Sequence, residues 1–139
     1  MENLDRLCAE YGYKFADEVS KADKFDAKKA ETLITKALGV LQEQGLYAFV
    51  LFCESRGSVE KDGAEKIKHI TRELLRDKLN LINGNNLLKA IREEDGLASK
   101  LEDLMLAIQV LEKSLIYARY HAKALSDSSE QTKVSEETT

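Results

Sequence analysis

Apolar residues along this chain recur at three- and four-residue steps, the spacing that gathers side chains on one face of an α-helix. The first stripe, Leu4, Leu7, Cys8, Tyr11, Phe15 and Val19, predicts a helix from about Asn3 to Ser20. Gly12 interrupts that stripe, and at about 1 kcal/mol against alanine it marks a point where the helix could break. After the connection "SKADKF", Asp26 is placed to cap a second helix carrying Ala30, Leu33, Ile34, Ala37, Leu38 and Leu41. Gly45 then ends this helix as a left-handed residue, with Leu41 and Leu46 meeting across a Schellman cap.

The next segment, "LYAFVLFC", is eight apolar residues in a row. A strand there would need partners for its backbone groups, and no second convincing strand exists in the sequence. A membrane helix needs about 20 such residues. The run is therefore expected to be a helix, Leu46 to Arg56, closed by Gly57 and buried at the centre of a bundle because it is hydrophobic on every side. Asp62 and Glu65 have capping-box spacing and open a fourth helix to about Lys78 or Leu81, burying Ala64, Ile67, Ile70, Leu74 and Leu75. "NGNN" at Asn83 to Asn86 is a turn, followed by a short helix that stops at Gly96. Ser99 and Glu102 form a second capping box for the longest helix, to about Leu125, with Leu101, Leu104, Met105, Ile108, Leu111, Leu115, Ala118, Ala122 and Leu125 as its core stripe. Leu106, Val110, Ile116, Tyr117 and Tyr120 widen its apolar face.

These elements predict an all-α fold: a compact bundle of five to six helices with a central buried helix. A single domain is expected over residues 1–125, with a polar, acidic tail over 126–139 that is disordered. Composition strengthens the helical reading, because the chain has no proline where average usage is about 5%. Its 139 residues, 43% hydrophobic and 33% charged, suit one core rather than two. Cys8 and Cys53 are far apart and have no zinc-site spacing, which fits two buried thiols in a reducing cytosol. No basic segment followed by an apolar one opens the chain, so a cytoplasmic protein without a membrane segment is expected.

Candidate chemistry is sparse. His69 and His121 fall on different helices without metal-ligand spacing. A Cys–His dyad would have to use a thiol in apolar surroundings, which suppress its reactivity. Glu93, Glu94 and Asp95 form either a cation site or, more simply, a solvated acidic turn. Neither a Walker A loop nor GxGxxG is present, and no catalytic residue, cofactor or metal is assigned.

Charge says more. Against 25 carboxylates stand 21 cations, but the tail carries much of the acidic excess and residues 1–125 are nearly balanced. Lys68, Arg72 and Arg76 repeat every four residues on the fourth helix, with His69 beside them and Lys61 and Lys66 nearby. Such a stripe can follow a phosphate backbone, or it can be an exposed face whose cations pair with Glu65 and Glu73. A second group, Arg119 and Lys123 with Tyr117, Tyr120 and His121, mixes cations and rings as single-strand binders do, although half-buried packing tyrosines have the same pattern.

Three segments together resemble the small all-helical subunit, the fifth, of the type III-B CRISPR Cmr effector complex. They are "LITKALGVLQEQGLYAFVLF", the fourth helix ending in "ELLRDKL", and the closing "LIYARYHAKAL". A related small subunit, such as that of the Csm complex, is the neighbouring alternative. The resemblance spans about Leu4 to Leu125. It implies a non-catalytic protein whose copies stack as an inner filament, contact other complex subunits, and help hold the crRNA and its target RNA. It also makes Lys68, Arg72 and Arg76, then Arg119 and Lys123, the candidates for RNA contact. From the broad apolar face of the last helix and the acidic balance, the competing expectation is a protein-binding adaptor that touches no RNA.

Overall fold

A computed structural model describes the backbone of residues 3–138 and the side chains of residues 3–128. The order is α1 (Leu4–Ser20), α2 (Ala27–Gln44), α3 (Leu46–Glu54), α4 (Lys61–Glu73) continuing into a π-helical turn (Leu74–Lys78), α5 (Leu87–Arg92), a 3₁₀ turn (Leu97–Ser99) and α6 (Leu101–Thr138). No strand occurs among the described residues, and none of their helices is long and apolar enough to cross a membrane. Helix α6 packs most extensively on α1 and then on α2, α4 lies against α1 and α3, and α3 is held between α2, α4 and α5.

Local sequence accounts for the helix starts. Asn3, Asp26 and Asn86 cap α1, α2 and α5, their side-chain oxygens accepting from the backbone N–H of Arg6, Lys29 and Lys89. Two expected capping boxes do not form. Helix α4 starts two residues earlier, after Glu60, so Asp62 lies inside its first turn, where its charge still suits the helix dipole. Ser99 is drawn into the 3₁₀ turn, its hydroxyl donating to the Gly96 carbonyl at 2.7 Å, and α6 begins beyond it.

The α2–α3 joint is tighter than a Schellman cap. Gly45 has φ +94° with an extended ψ of −176°, not the left-handed helical pair. Its N–H closes α2 on the Leu41 carbonyl at 3.0 Å, and its own carbonyl accepts the first bond of α3 from Phe49 at 3.1 Å. One residue thus ends one helix and begins the next, in a conformation open to glycine and strained for other residues. Helix α3 is a helix as expected, but its burial is one-sided: Leu46, Phe49, Val50 and Cys53 face the core, and Leu51 faces solvent.

Gly12 does not break α1. A Cβ there would stand 2.5 Å from Tyr117 Cβ and 3.1 Å from the Ser114 carbonyl oxygen, so the glycine lets α1 lie directly on α6. The face that α6 buries is Ala107, Val110, Leu111, Ser114, Leu115, Ala118, Ala122 and Ser126. Leu101, Met105 and Leu125, placed in its core stripe by spacing, are exposed. Of the tail expected to be disordered, the backbone from Ser126 to Thr138 continues α6. The side chains of 129–139 lie outside the described residues.

A second tie joins α1 to α4. Tyr11, almost wholly buried, donates its hydroxyl to one Glu73 oxygen at 3.1 Å, and Lys14 Nζ donates to the other at 2.6 Å. Lys14's hydrogen bond, with Tyr11's after it, holds the Glu73 carboxyl below its ordinary 4.5, against the opposing effect of partial burial. The next turn is π-helical, with Leu79 N–H reaching the Leu74 carbonyl at 3.0 Å. There the consecutive Leu74 and Leu75 are both fully buried.

Two outcomes follow from this packing. Gly12→Ala should destabilise the fold by about 1–3 kcal/mol through overpacking, outweighing the roughly 1 kcal/mol that alanine gains in helix propensity; urea unfolding reads the sign directly. Because the folded pKa of Glu73 is depressed, its contribution is fully present above its unfolded pKa and lost as pH falls through the lower folded value. Urea midpoints measured from about pH 7 to about pH 3 should therefore fall less steeply for Glu73→Gln than for the wild type.

Candidate nucleic-acid interface

The cations of α4 divide according to what each one faces. Arg76 is turned inward on its own loop: its guanidinium holds both Asp77 oxygens at 2.8 and 3.1 Å and donates to Asn85 Oδ1 at 2.6 Å and the Gly84 carbonyl at 3.3 Å. Arg72 donates to the Asn85 carbonyl at 2.8 Å and to His69 Nδ1 at 2.6 Å. Together the two arginines fasten the "NGNN" loop to the helix, with Gly84 at φ +77° making its turn. That loop in turn sets the position of α5.

Lys68 is less exposed than a free surface lysine. Its ammonium lies 3.3 Å from Glu65 and 3.5 Å from Glu54, at the end of α3. Beside it opens a cleft of about 450 Å³, lined by Glu54, Lys68, Arg72, Asn85, Asn86, Leu87, Leu88 and Arg92. Three cations and one carboxylate share this lining, so its local charge is positive in a protein whose net charge is −4. Arg92 is not among the residues that sequence spacing singles out. It reaches the cleft because the loop after α4 brings α5 back against α3, and a guanidinium nitrogen lies 3.5 Å from the Tyr47 hydroxyl on α3. No periodicity on one helix could have found it; the Asn86 cap six residues upstream is the only local cue.

The other candidates are scattered. Lys61 is exposed at the first residue of α4, one turn and more from the cleft, and His69 is exposed beside Arg72. Arg119 and Lys123 lie on α6, on neither α4 nor α5, with the Arg119 guanidinium over the Tyr120 ring at 5.6 Å. His121 meets Tyr13 of α1 edge to face, ring centroids 5.9 Å apart. The two basic groups expected from the sequence are separate in space, one on α4, which α5 joins through Arg92, and one on α6.

Neither thiol is disposed for nucleophilic chemistry. Burial pushes Cys53 up to about 12 and raises Cys8 as well, so both remain protonated thiols at neutral pH. Glu93, Glu94 and Asp95 are exposed to solvent, and among the described residues no three His, Cys, Asp or Glu side chains are grouped to hold a metal ion. Family models, curated proteins and solved structures give no match to this chain.

The two arginines make separable predictions. Arg76→Ala should free the loop, seen as faster amide hydrogen exchange at Asn85 and Asn86 while α1 and α6 amides stay protected. Unchanged exchange in the loop would show that Arg72 alone secures it.

Proposed function

We propose that this chain is a non-catalytic, RNA-associated assembly subunit, the small helical subunit of a cytoplasmic CRISPR type III effector ribonucleoprotein. The observation that carries the reading is the convergence of Lys68, Arg72 and Arg92 on one cleft between α4 and α5. A phosphodiester there would exchange water and counterions for charge-assisted hydrogen bonds from a forked guanidinium and an ammonium. Arg72 is already oriented by the Asn85 carbonyl, which lowers the ordering cost of using it. Lys68 would have to leave Glu54 and Glu65 in part, so affinity at this site is expected to be modest and sensitive to salt. Arg76, committed to Asp77 and the loop, supports the site without contacting RNA.

The resemblance adds the setting: identical copies stacked beside a crRNA-bearing backbone, together helping to hold crRNA and target RNA for antiviral defence, with cleavage carried out by neighbouring subunits. Head-to-tail stacking uses two different surfaces of each copy. Leu101 and Met105, 69% and 51% exposed and one turn apart at the start of α6, offer one of them. The same pair favours the competing reading, a protein-binding adaptor without RNA, which expects a stable complex in nuclease-treated extract with no RNA in it.

Equilibrium binding to a short RNA across a salt series separates the two. Lys68→Ala combined with Arg92→Ala should weaken binding and reduce the slope of log affinity against log salt by about 1.4 for a single strand, roughly 0.7 for each phosphate that is no longer neutralised. Lys36→Ala, on α2 and paired with Glu60 outside the cleft, should leave that slope unchanged. A wild type that binds no RNA defeats the proposal; binding that survives the double substitution with its slope intact removes the cleft from it.

A further inference from the structure

A shallow groove of about 310 Å³ runs between α1 and α6, lined by Ala9, Tyr117, Tyr120, His121 and Ala124. Three rings and two alanines line it. Tyr120 is 63% exposed, and Tyr13, which meets His121 at the groove's edge, is 59% exposed. Rings so open contribute little to the core, in contrast to Tyr11 nearby on α1, which is 2% exposed. The folded state therefore gives only a weak reason for two aromatic side chains to stand in water here.

We infer that this groove is a stacking platform for an unpaired base of single-stranded RNA. Every nucleobase has a π-face that can lie on a tyrosine or histidine ring without regard to sequence. Ala9 and Ala124, with nothing beyond Cβ, leave room among the rings for a flat heterocycle to approach. Cations stand where the adjoining phosphates would run: Arg119 lies over Tyr120, and Lys123 is exposed on the next turn of α6. The carboxylate bonded to the lining is neutralised, since Asp5 accepts from the Tyr117 hydroxyl at 2.7 Å and from Lys113 at 2.6 Å. A duplex cannot use the platform, because its bases are already stacked on one another. The inference rests on the RNA-associated reading and narrows its ligand to strands with splayed bases.

The test is a titration of a short oligoadenylate carrying 2-aminopurine, whose fluorescence is quenched when the base stacks, in parallel with the same strand annealed to its complement. Tyr13→Ala combined with Tyr120→Ala should weaken single-strand binding about ten-fold and abolish the protein-induced quenching, leaving duplex binding unchanged. Tyr120→Phe should keep both signals. Tyr120→Leu, which retains apolar volume on an exposed site, should lose the quenching with helical circular dichroism intact. If the wild type binds the single strand but the ring-deleted forms match it in affinity and quenching, the platform is wrong and the α4–α5 cleft stands. No binding by the wild type overturns both.

Discussion

The closeness of α1 to α6 is the constraint on which the rest of the molecule is arranged. Gly12 on α1 faces the Tyr117 Cβ and the backbone of Ser114 and Ala118 on α6, so close that there is no space for a Cβ at position 12. The Ser114 hydroxyl in this seam is satisfied inside its own helix, its Oγ donating to the Val110 carbonyl at 2.7 Å, so burying it carries no unpaired polar group. Helix α2 then packs on α6 and α4 packs on α1. The position of α4 is further set from α1 by Tyr11 and Lys14, which hold the two oxygens of Glu73. Everything proposed for the α4–α5 cleft therefore depends on a helix pair that does not line it.

Charged side chains of one type serve different ends along a single helix face. Lys68, Arg72 and Arg76 are equivalent by spacing, yet Arg76 is saturated by Asp77 and the loop, Arg72 is shared between loop and cleft, and Lys68 lies between two glutamates. The π-turn contributes to this division. A turn with one residue more shifts the register of all that follows it, and Arg76 sits within that turn. A basic stripe that is regular in the sequence is thus divided in space into a structural end and an open end.

Much of the architecture is legible in the sequence because it depends on local rules. Asp26 caps as its side-chain chemistry requires, Gly45 takes the positive φ that a sharp helix-to-helix joint needs, and the stripes of α2 and α4 are buried throughout, whereas in the stripe of α1 Leu4 is exposed and Leu7 half-buried. Helix α6 departs from its expected stripe for a physical reason. It carries apolar side chains around most of its circumference, so several stripes satisfy the same period, and large residues such as Leu101 and Met105 outweigh the Ala107 and Ser114 that are buried instead. Small residues give weak hydrophobic signals even where close approach makes them decisive. Arg92 is illegible for another reason: its proximity to Lys68 is created by a loop, and no spacing along one element encodes it.

The length of α6 bears on how the two proposed surfaces and the exposed apolar patch can coexist. At 1.5 Å per residue, Tyr120 lies about 28 Å along the helix from Leu101. That is far enough for an apolar patch at the start of α6 to meet a second copy while the rings beyond Tyr117 stay open to solvent. The α4–α5 cleft is formed without any residue of α6. An assembly subunit needs this separation, since a surface occupied by its neighbour cannot also hold RNA. Adaptor and RNA-binding roles then cease to be alternatives for the same face. They become claims about different faces of one bundle, and the exposed Leu101 and Met105 are compatible with the RNA-associated reading as well as with its competitor.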